Sequence, residues 1–321
     1  MKIRILALLL LLIVLPSMVT VAQDNPARIV VAADGSGDYT TVSDALRKVR
    51  GDMDDPVTVY IKNGIYREKI LLNATLHNVT IEGESADGTV ISWGDYASLR
   101  NMGTSGSYTF KVEGNNITFR NLTIENSAGN VGQAVAMHTI GDRIRFINCR
   151  FLGNQDTLYT GGRASRLYFE DCYVEGTIDF IFGSATALFN RCHIHGKIDS
   201  YITAASTAKE NPVGYVFYRC KVTTAPGVTS LYLGRPWRPN ASTFFIECEL
   251  PRGINPAGWH NWGNTANEST ARYGEYGCTG DGAVEDGRVA WRTSLTADQV
   301  GLLTDPTHIF TRSLDWNPAS K

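Results

Sequence analysis

A short phrase recurs along the chain and limits the fold more than any other feature. Its copies are Asn148-Cys149-Arg150-Phe151, Asp171-Cys172-Tyr173-Val174, Arg191-Cys192-His193-Ile194, Arg219-Cys220-Lys221-Val222 and Glu247-Cys248-Glu249-Leu250. His77-Asn78-Val79-Thr80-Ile81 and Arg120-Asn121-Leu122-Thr123-Ile124 fit the same phrase with Val or Leu in place of Cys. Successive copies lie 43, 27, 23, 20, 28 and 28 residues apart. Repeats of this length mark units too small to bury an apolar face alone, so they stack. Each copy reads as a short strand with alternating apolar positions, rich in Val, Ile, Phe, Tyr and Thr and bounded by Gly and Asn. No amphipathic helix of the length a βαβ unit needs lies between copies. The expectation is an all-β chain, a right-handed parallel β-helix.

A stack has open ends, and an end coil exposes its core unless something covers it. Val42, Ala45, Leu46 and Val49 follow helical i, i+3, i+4, i+7 spacing, with Thr40 or Thr41 placed as N-cap. This predicts a short N-terminal capping helix. Before it, Met1-Lys2-Ile3-Arg4 and the apolar run Ile5 to Leu15 read as a secretory signal peptide over residues 1–22, ending at Thr20-Val21-Ala22. That run is too short to span a bilayer comfortably. Residues 23–321 carry no Pro-rich or Gly/Ser-rich linker and read as one catalytic domain, secreted or periplasmic, with no membrane attachment after cleavage. The net charge of -2 shows none of the basic surplus that marks a nucleic-acid binder. A polyanionic ligand must therefore meet local charges.

The repeat also positions chemistry. Asp156 lies seven residues after Cys149 and Asp179 seven after Cys172, so the two occupy equivalent places on successive coils. Parallel strands sit about 4.8 Å apart, and two carboxyls that close cannot both ionise cheaply, which splits them into an acid and a base or nucleophile. On spacing alone, an Asp/Asn ladder that satisfies turn backbone is the better account, and Asp199 keeps the same offset from Cys192. In an exported chain, Cys149, Cys172 and Cys192 have the spacing for a disulfide in either adjacent pairing, Cys172–Cys192 being favoured. Cysteines stacked as small core hydrophobes are the competing account. Cys278 falls outside the phrase. His193 and His195 share one strand face, without a third ligand in sight for a metal.

Three further motifs appear in order: Gly153-Asn154-Gln155-Asp156-Thr157-Leu158-Tyr159, Gly176-Thr177-Ile178-Asp179-Phe180-Ile181-Phe182-Gly183 and Leu233-Gly234-Arg235-Pro236-Trp237. With Ala33-Asp34-Gly35-Ser36-Gly37-Asp38-Tyr39, Gly132-Gln133-Ala134-Val135-Ala136 and Gly287-Arg288-Val289-Ala290-Trp291, they make a chain that resembles the pectin methylesterase family over nearly all its mature length. The resemblance implies a monomeric enzyme that hydrolyses the methyl esters of homogalacturonan, with no metal or other cofactor. It implies Asp179 as nucleophile, Asp156 as proton donor and acceptor, Gln155 and Gln133 as oxyanion donors, and Arg235 as the partner that orients Asp179. Thr109, Trp237, Phe180, Tyr159 and Trp259 are expected to touch the sugar chain, while Phe182 and Phe189 are expected in the core. His138 stands beside Met137 where many members carry a Leu-Arg pair.

The residue types suit these roles. A carboxylate can attack an ester carbonyl and form an acyl-enzyme, neutral amides can hold an oxyanion, and an arginine favours the ionised form of the aspartate it clasps. Three rivals stand beside this reading: a calcium-dependent pectate lyase of the same architecture, a non-catalytic wall-polymer binder, and a family member acting on another acyl ester. The chain has no G-x-S-x-G elbow, no H-E-x-x-H and no phosphate-binding glycine loop.

Overall fold

The computed structural model describes residues 25–310 and 316–319. The expected signal peptide, residues 1–22, lies outside the described residues. The chain winds into three parallel sheets of ten, seven and seven strands, visiting each sheet once per turn. One coil shows the plan: Ile144–Ile147 lies in the first sheet, Arg150–Leu152 in the second and Leu158–Thr160 in the third. Arg166–Glu170 then returns to pair with Ile144–Ile147. This is a parallel β-helix. Strands of three to five residues suffice because each pairs above and below with the same position of the neighbouring coil.

The recurring phrase proves to be a corner that leads into a strand of the second sheet. Its leading residues Asn121, Asn148, Asp171, Arg191, Arg219 and Glu247 all have φ between 50° and 54°, the left-handed region that costs a non-glycine residue about 1–2 kcal/mol. They turn the chain from the first sheet into the second. Asn and Asp tolerate this backbone; Arg and Glu are held there by the packing that the turn makes possible. The following residue then points inward. Asn78 is also left-handed, at φ 56°, but it precedes a strand of the first sheet, Val79–Gly83. The His77 copy therefore belongs to a different corner, which explains the odd spacing of 43. Gly277, at φ 61°, takes the corner position after the last strand of the first sheet, so Cys278 is the next copy of the phrase.

Inside, the register stacks like on like. Phe119, Phe146, Phe169, Phe189, Phe217 and Phe245 pair in sequence across the first sheet, with successive ring centroids 5.0, 4.7, 4.4, 4.5 and 4.4 Å apart. Each lies three residues before the inward Leu or Cys of its corner. Offset-stacked rings add to the burial of their own area. Phe169, fully buried between two such rings, is expected on truncation to alanine to lower stability by about 3–5 kcal/mol, read as a lower urea midpoint. A midpoint within error of the parent would show that the ladder adds nothing there.

The six cysteines form a second column, and all are free. The favoured Cys172–Cys192 disulfide is absent. Strands in register carry their Cα–Cβ bonds parallel, whereas a disulfide needs the two sulfurs turned toward each other about a dihedral near 90°. The thiols instead donate to carbonyls of the preceding coil: Cys172 to Phe146 O at 3.4 Å, Cys220 to Phe189 O at 3.3 Å and Cys248 to Phe217 O at 3.3 Å.

At the N-terminal end the helix Val42–Leu46 is capped by Thr41, whose side chain accepts from Asp44 N. Its buried Val42, Ala45 and Leu46 join the main core. At the other end Ala297–Thr304 and Pro306–Ile309 form two helices, the first opened by a Thr296–Gln299 capping box. Val300, Ile309 and Phe310 pack on the outer face of the first sheet against Tyr168, Leu188, Val216 and Phe244. The Gly287 to Trp291 motif is structural: Arg288 clasps Glu275 through two bonds of 2.9 Å and donates to Gly282 O.

Candidate active site

The corner between the second and third sheets carries the chemistry. Asp156 and Asp179 both adopt left-handed backbone there, at φ 66° and 50°. Each lies two residues before a strand residue of the third sheet, and those residues, Leu158 and Ile181, are register partners. Asp156 N donates to Ile178 O at 3.1 Å, which sets Asp156 opposite Asp179. The left-handed residue breaks the in-out alternation. Thr157 and Leu158 both point inward after Asp156, and Phe180 and Ile181 both point inward after Asp179. Tyr159 and Phe182 then face outward.

Several expectations are corrected by the structure. Phe180 is fully buried in the core and cannot floor a cleft, whereas Phe182, expected in the core, lines it. Trp259 is also buried, packed on Tyr273 at 4.7 Å. Thr109 has no exposed surface, and its hydroxyl donates to Glu125 O at 2.8 Å, so it holds two coils together and does not meet a ligand. Asp199 is exposed and accepts from Thr229 N and Ser230 N at 2.7 and 2.8 Å. It is thus the turn-capping aspartate that the ladder reading describes, while Asp156 and Asp179 are not.

What the corner does bring together is a cleft of about 410 Å³ lined by Gln133, Gln155, Asp156, Tyr159, Asp179, Phe182, Arg235, Trp237 and Trp262, together with Thr104 and Ser105. Arg235 binds Asp179 with both prongs, Nε to Oδ1 at 2.9 Å and Nη2 to Oδ2 at 2.7 Å. Its guanidinium is itself sandwiched, 3.8 Å from the ring centroids of both Tyr201 and Trp262. Stacked on two faces and forked onto a carboxylate, it has little freedom left. Gln133 and Gln155 sit in register on adjacent coils, and both line the cleft beside Asp156.

The two carboxyls differ in electrostatics because only one has the arginine. Burial pushes Asp156 up to about 7, the charge of Asp179 adds to the rise, and Gln133 and Arg235 oppose it. Burial raises Asp179 as well, but there the Arg235 hydrogen bonds and charge pull back. The clasped aspartate ionises first, and its charge then keeps the proton on Asp156. Between the two transitions the pair holds one proton, located on Asp156.

Outward rings on successive coils of the third sheet form a row parallel to the solenoid axis. His138 stacks on Tyr159 at 4.2 Å and 4°, Tyr159 on Phe182 at 4.3 Å, and Trp237 meets Phe182 edge-on at 6.0 Å. Burial, with the charge of Lys111, pushes His138 down to about 4, so its ring is neutral at ordinary pH and packs like an aromatic. Lys111 precedes it in the row. Such a floor suits the flat apolar faces of pyranose rings. Elsewhere, His193 Nε2 and His195 Nδ1 both meet the Thr223 hydroxyl, at 2.7 and 2.8 Å. Among the described residues, no three His, Cys, Asp or Glu are arranged to hold a metal ion.

The chain is similar to known proteins. The pectinesterase family model matches residues 28–307. Pectinesterase 31 of Arabidopsis thaliana is 40% identical over 84% of this chain and 88% of its own length. Probable pectinesterase/pectinesterase inhibitor 6 of the same plant is 38% identical over 83% of this chain but only 48% of its own length. Among solved structures, the pectin methylesterase from carrot superposes with a TM-score of 0.84 at 32% identity, covering 88% of this chain and 92% of that one. A pectin methylesterase in complex with a hexasaccharide superposes with a TM-score of 0.78 at 28% identity, over 94% of this chain and 100% of that one.

Proposed function

Since this chain belongs to the pectinesterase family, carboxylic ester hydrolases, we propose that it releases methanol from methyl-esterified homogalacturonan through an acyl-enzyme on Asp179. The observation that carries the reading is the single-proton carboxyl pair, with Asp179 clasped by Arg235 and Asp156 raised to about 7. One oxygen of ionised Asp179 attacks the ester carbonyl carbon. The carbonyl π pair moves onto oxygen, and the amides of Gln155 and Gln133 donate to the oxyanion. Collapse breaks the bond to methoxide, which takes the proton of Asp156 and leaves as methanol. Asp156, now a carboxylate, takes a proton from water as that water attacks the anhydride. The galacturonate acid departs and Asp179 regains its charge.

The partners of the pair, an arginine and a glutamine amide, serve an anion and not a hard cation, which favours hydrolysis over a calcium-dependent lyase. A wall polymer is met outside the cell, in keeping with an export signal at residues 1–22. On highly methylated pectin with a chelator present, methanol is expected without new ultraviolet-absorbing unsaturated ends and without a fall in viscosity. Unsaturated ends that appear on adding calcium, with no methanol, would sink the esterase reading. Methanol release from short methyl esters at the rate seen with pectin would move the substrate away from the polymer.

A further inference from the structure

A second concavity, of about 310 Å³, lies along the same edge of the solenoid and is lined by Arg67, Ser92, Trp93, Gly94, Asp95 and Ser127. We propose that it is an accessory subsite for a free, de-esterified uronate unit of the polymer, with Trp93 stacking on the pyranose and Arg67 binding the carboxylate. The inference rests on the polymer substrate proposed above.

Its position follows from register. Trp93 pairs with Asn126 at the end of the second sheet. Extending the pairing of Glu125 with Leu152, and of Phe151 with Val174, by one and two residues brings Gly153 and Gly176 into the same line. Asp156 and Asp179 follow those two glycines by three residues each. Trp93 is therefore on the corner that carries the catalytic pair, two strand spacings before the coil of Asp156, or about 10 Å along the axis. The aromatic row beside the pair also runs along the axis, on the third sheet, and reaches the coil of Trp93 at Lys111, so a chain laid on it comes to Trp93 by crossing the corner. Hydrogen bonds join the two sites: Ala97 N donates to Gln133 O at 2.8 Å, and the Lys69 ammonium bridges Asp95 and Gly106 O at 2.5 and 2.7 Å.

Its chemistry suits an acidic sugar. Trp93 is 37% exposed, although it lies at the end of a strand whose preceding residues are largely buried. The Arg67 side chain is exposed and makes no hydrogen bond, ion pair or ring contact among the described residues. The other charged group in the concavity, Asp95, is neutralised by Lys69. What remains is an uncommitted guanidinium beside an open indole face. A guanidinium takes a carboxylate with two parallel bonds, but a methyl ester has no charge to offer it. The subsite therefore selects units from which the methyl group has already been removed.

The test compares Arg67→Ala and Trp93→Ala with the parent on partly de-esterified long pectin, fully methylated long pectin and methylated trigalacturonate. On partly de-esterified pectin, KM is expected to rise about three- to tenfold in either variant, the scale of one lost stacking or ionic contact. On the trimer, KM and kcat are expected to stay at the parent values, because a trimer engaged at Asp179 does not reach Trp93. On fully methylated pectin, only Trp93→Ala is expected to raise KM. Equal KM for all three proteins on partly de-esterified pectin would overturn the subsite, as would an equal loss on polymer and trimer, which marks a structural role. If the parent releases no methanol at all, it is the esterase reading that fails. Retention of the three proteins on immobilised polygalacturonate then judges the subsite: weaker retention of both variants supports it and equal retention overturns it.

Discussion

Replacing Asp179 by alanine is expected to lower kcat for methanol release by on the order of 10⁴-fold or more, the scale seen when an enzyme loses the nucleophile of a covalent mechanism. No other carboxylate is placed to substitute, since Asp156, still buried, lacks the two-pronged Arg235 clasp that orients Asp179 and would be lost as the acid if it served as nucleophile. Removing the Asp179 charge also strips Arg235 of its partner, leaving a stacked guanidinium over an empty site. Because Asp179 sits at φ 50°, alanine adds backbone strain of about 1–2 kcal/mol, and a lost fold would imitate a lost nucleophile. Asp179→Asn removes the ambiguity: asparagine tolerates the left-handed region and keeps the shape, yet has no charge with which to attack. Both variants should unfold cooperatively and both should be inactive. An Asn variant that retains a tenth of parental kcat would show that Asp179 is not the nucleophile.

Asp156→Asn is expected to cost about 10²–10⁴-fold in kcat, the usual share of one general acid, and to change the pH profile. In the parent, kcat/KM should fall as pH rises through about 7, where Asp156 loses the proton that methoxide needs. It should fall again at low pH as Asp179 is protonated. The variant should lose the alkaline limb and keep the acid one. Stability falls in the same direction across that window. The folded carboxyl titrates above its ordinary 3.8, so the native state binds a proton that the unfolded chain has released. That contribution is fully present below pH 3.8 and is lost as pH rises through about 7. The Asn variant should therefore gain in relative melting temperature across that window. A parallel pair of stability curves would mean that Asp156 is not raised.

Sequence reasoning found the site better than its floor. Asp156, Asp179, Gln133, Gln155, Arg235, Tyr159 and Trp237 were all selected from motifs and spacing, and the cleft contains all of them. Thr109, Phe180 and Trp259 were selected with them but are buried, and Phe182 was assigned to the core. The error at Phe182 has a backbone cause. Strict alternation after Asp179 would place Phe180 and Phe182 inside and Ile181 outside, but the left-handed aspartate sends Phe180 and Ile181 inward and turns Phe182 toward the cleft. A positive φ at an aspartate leaves only a weak trace in sequence, because asparagine and aspartate occupy ordinary turns as well. Trp262 and Tyr201 were missed as the faces that hold Arg235, being remote from it in sequence.

The sequence by itself determined the solenoid, its coil lengths, the column of cysteines and the placement of two aspartates on successive coils. These are local, repeating properties, and a parallel register copies whatever recurs. The tertiary structure alone decided what recurrence cannot encode: which way each side chain leaves a corner, that the cysteines stack as thiols, and that helices near the C-terminus cover the first sheet. It also decided that Arg235, 56 residues from Asp179, meets one aspartate and not the other. That last contact separates the two carboxyls. Burial raises both, and it takes a guanidinium brought by a later coil to make one of them the ionised partner.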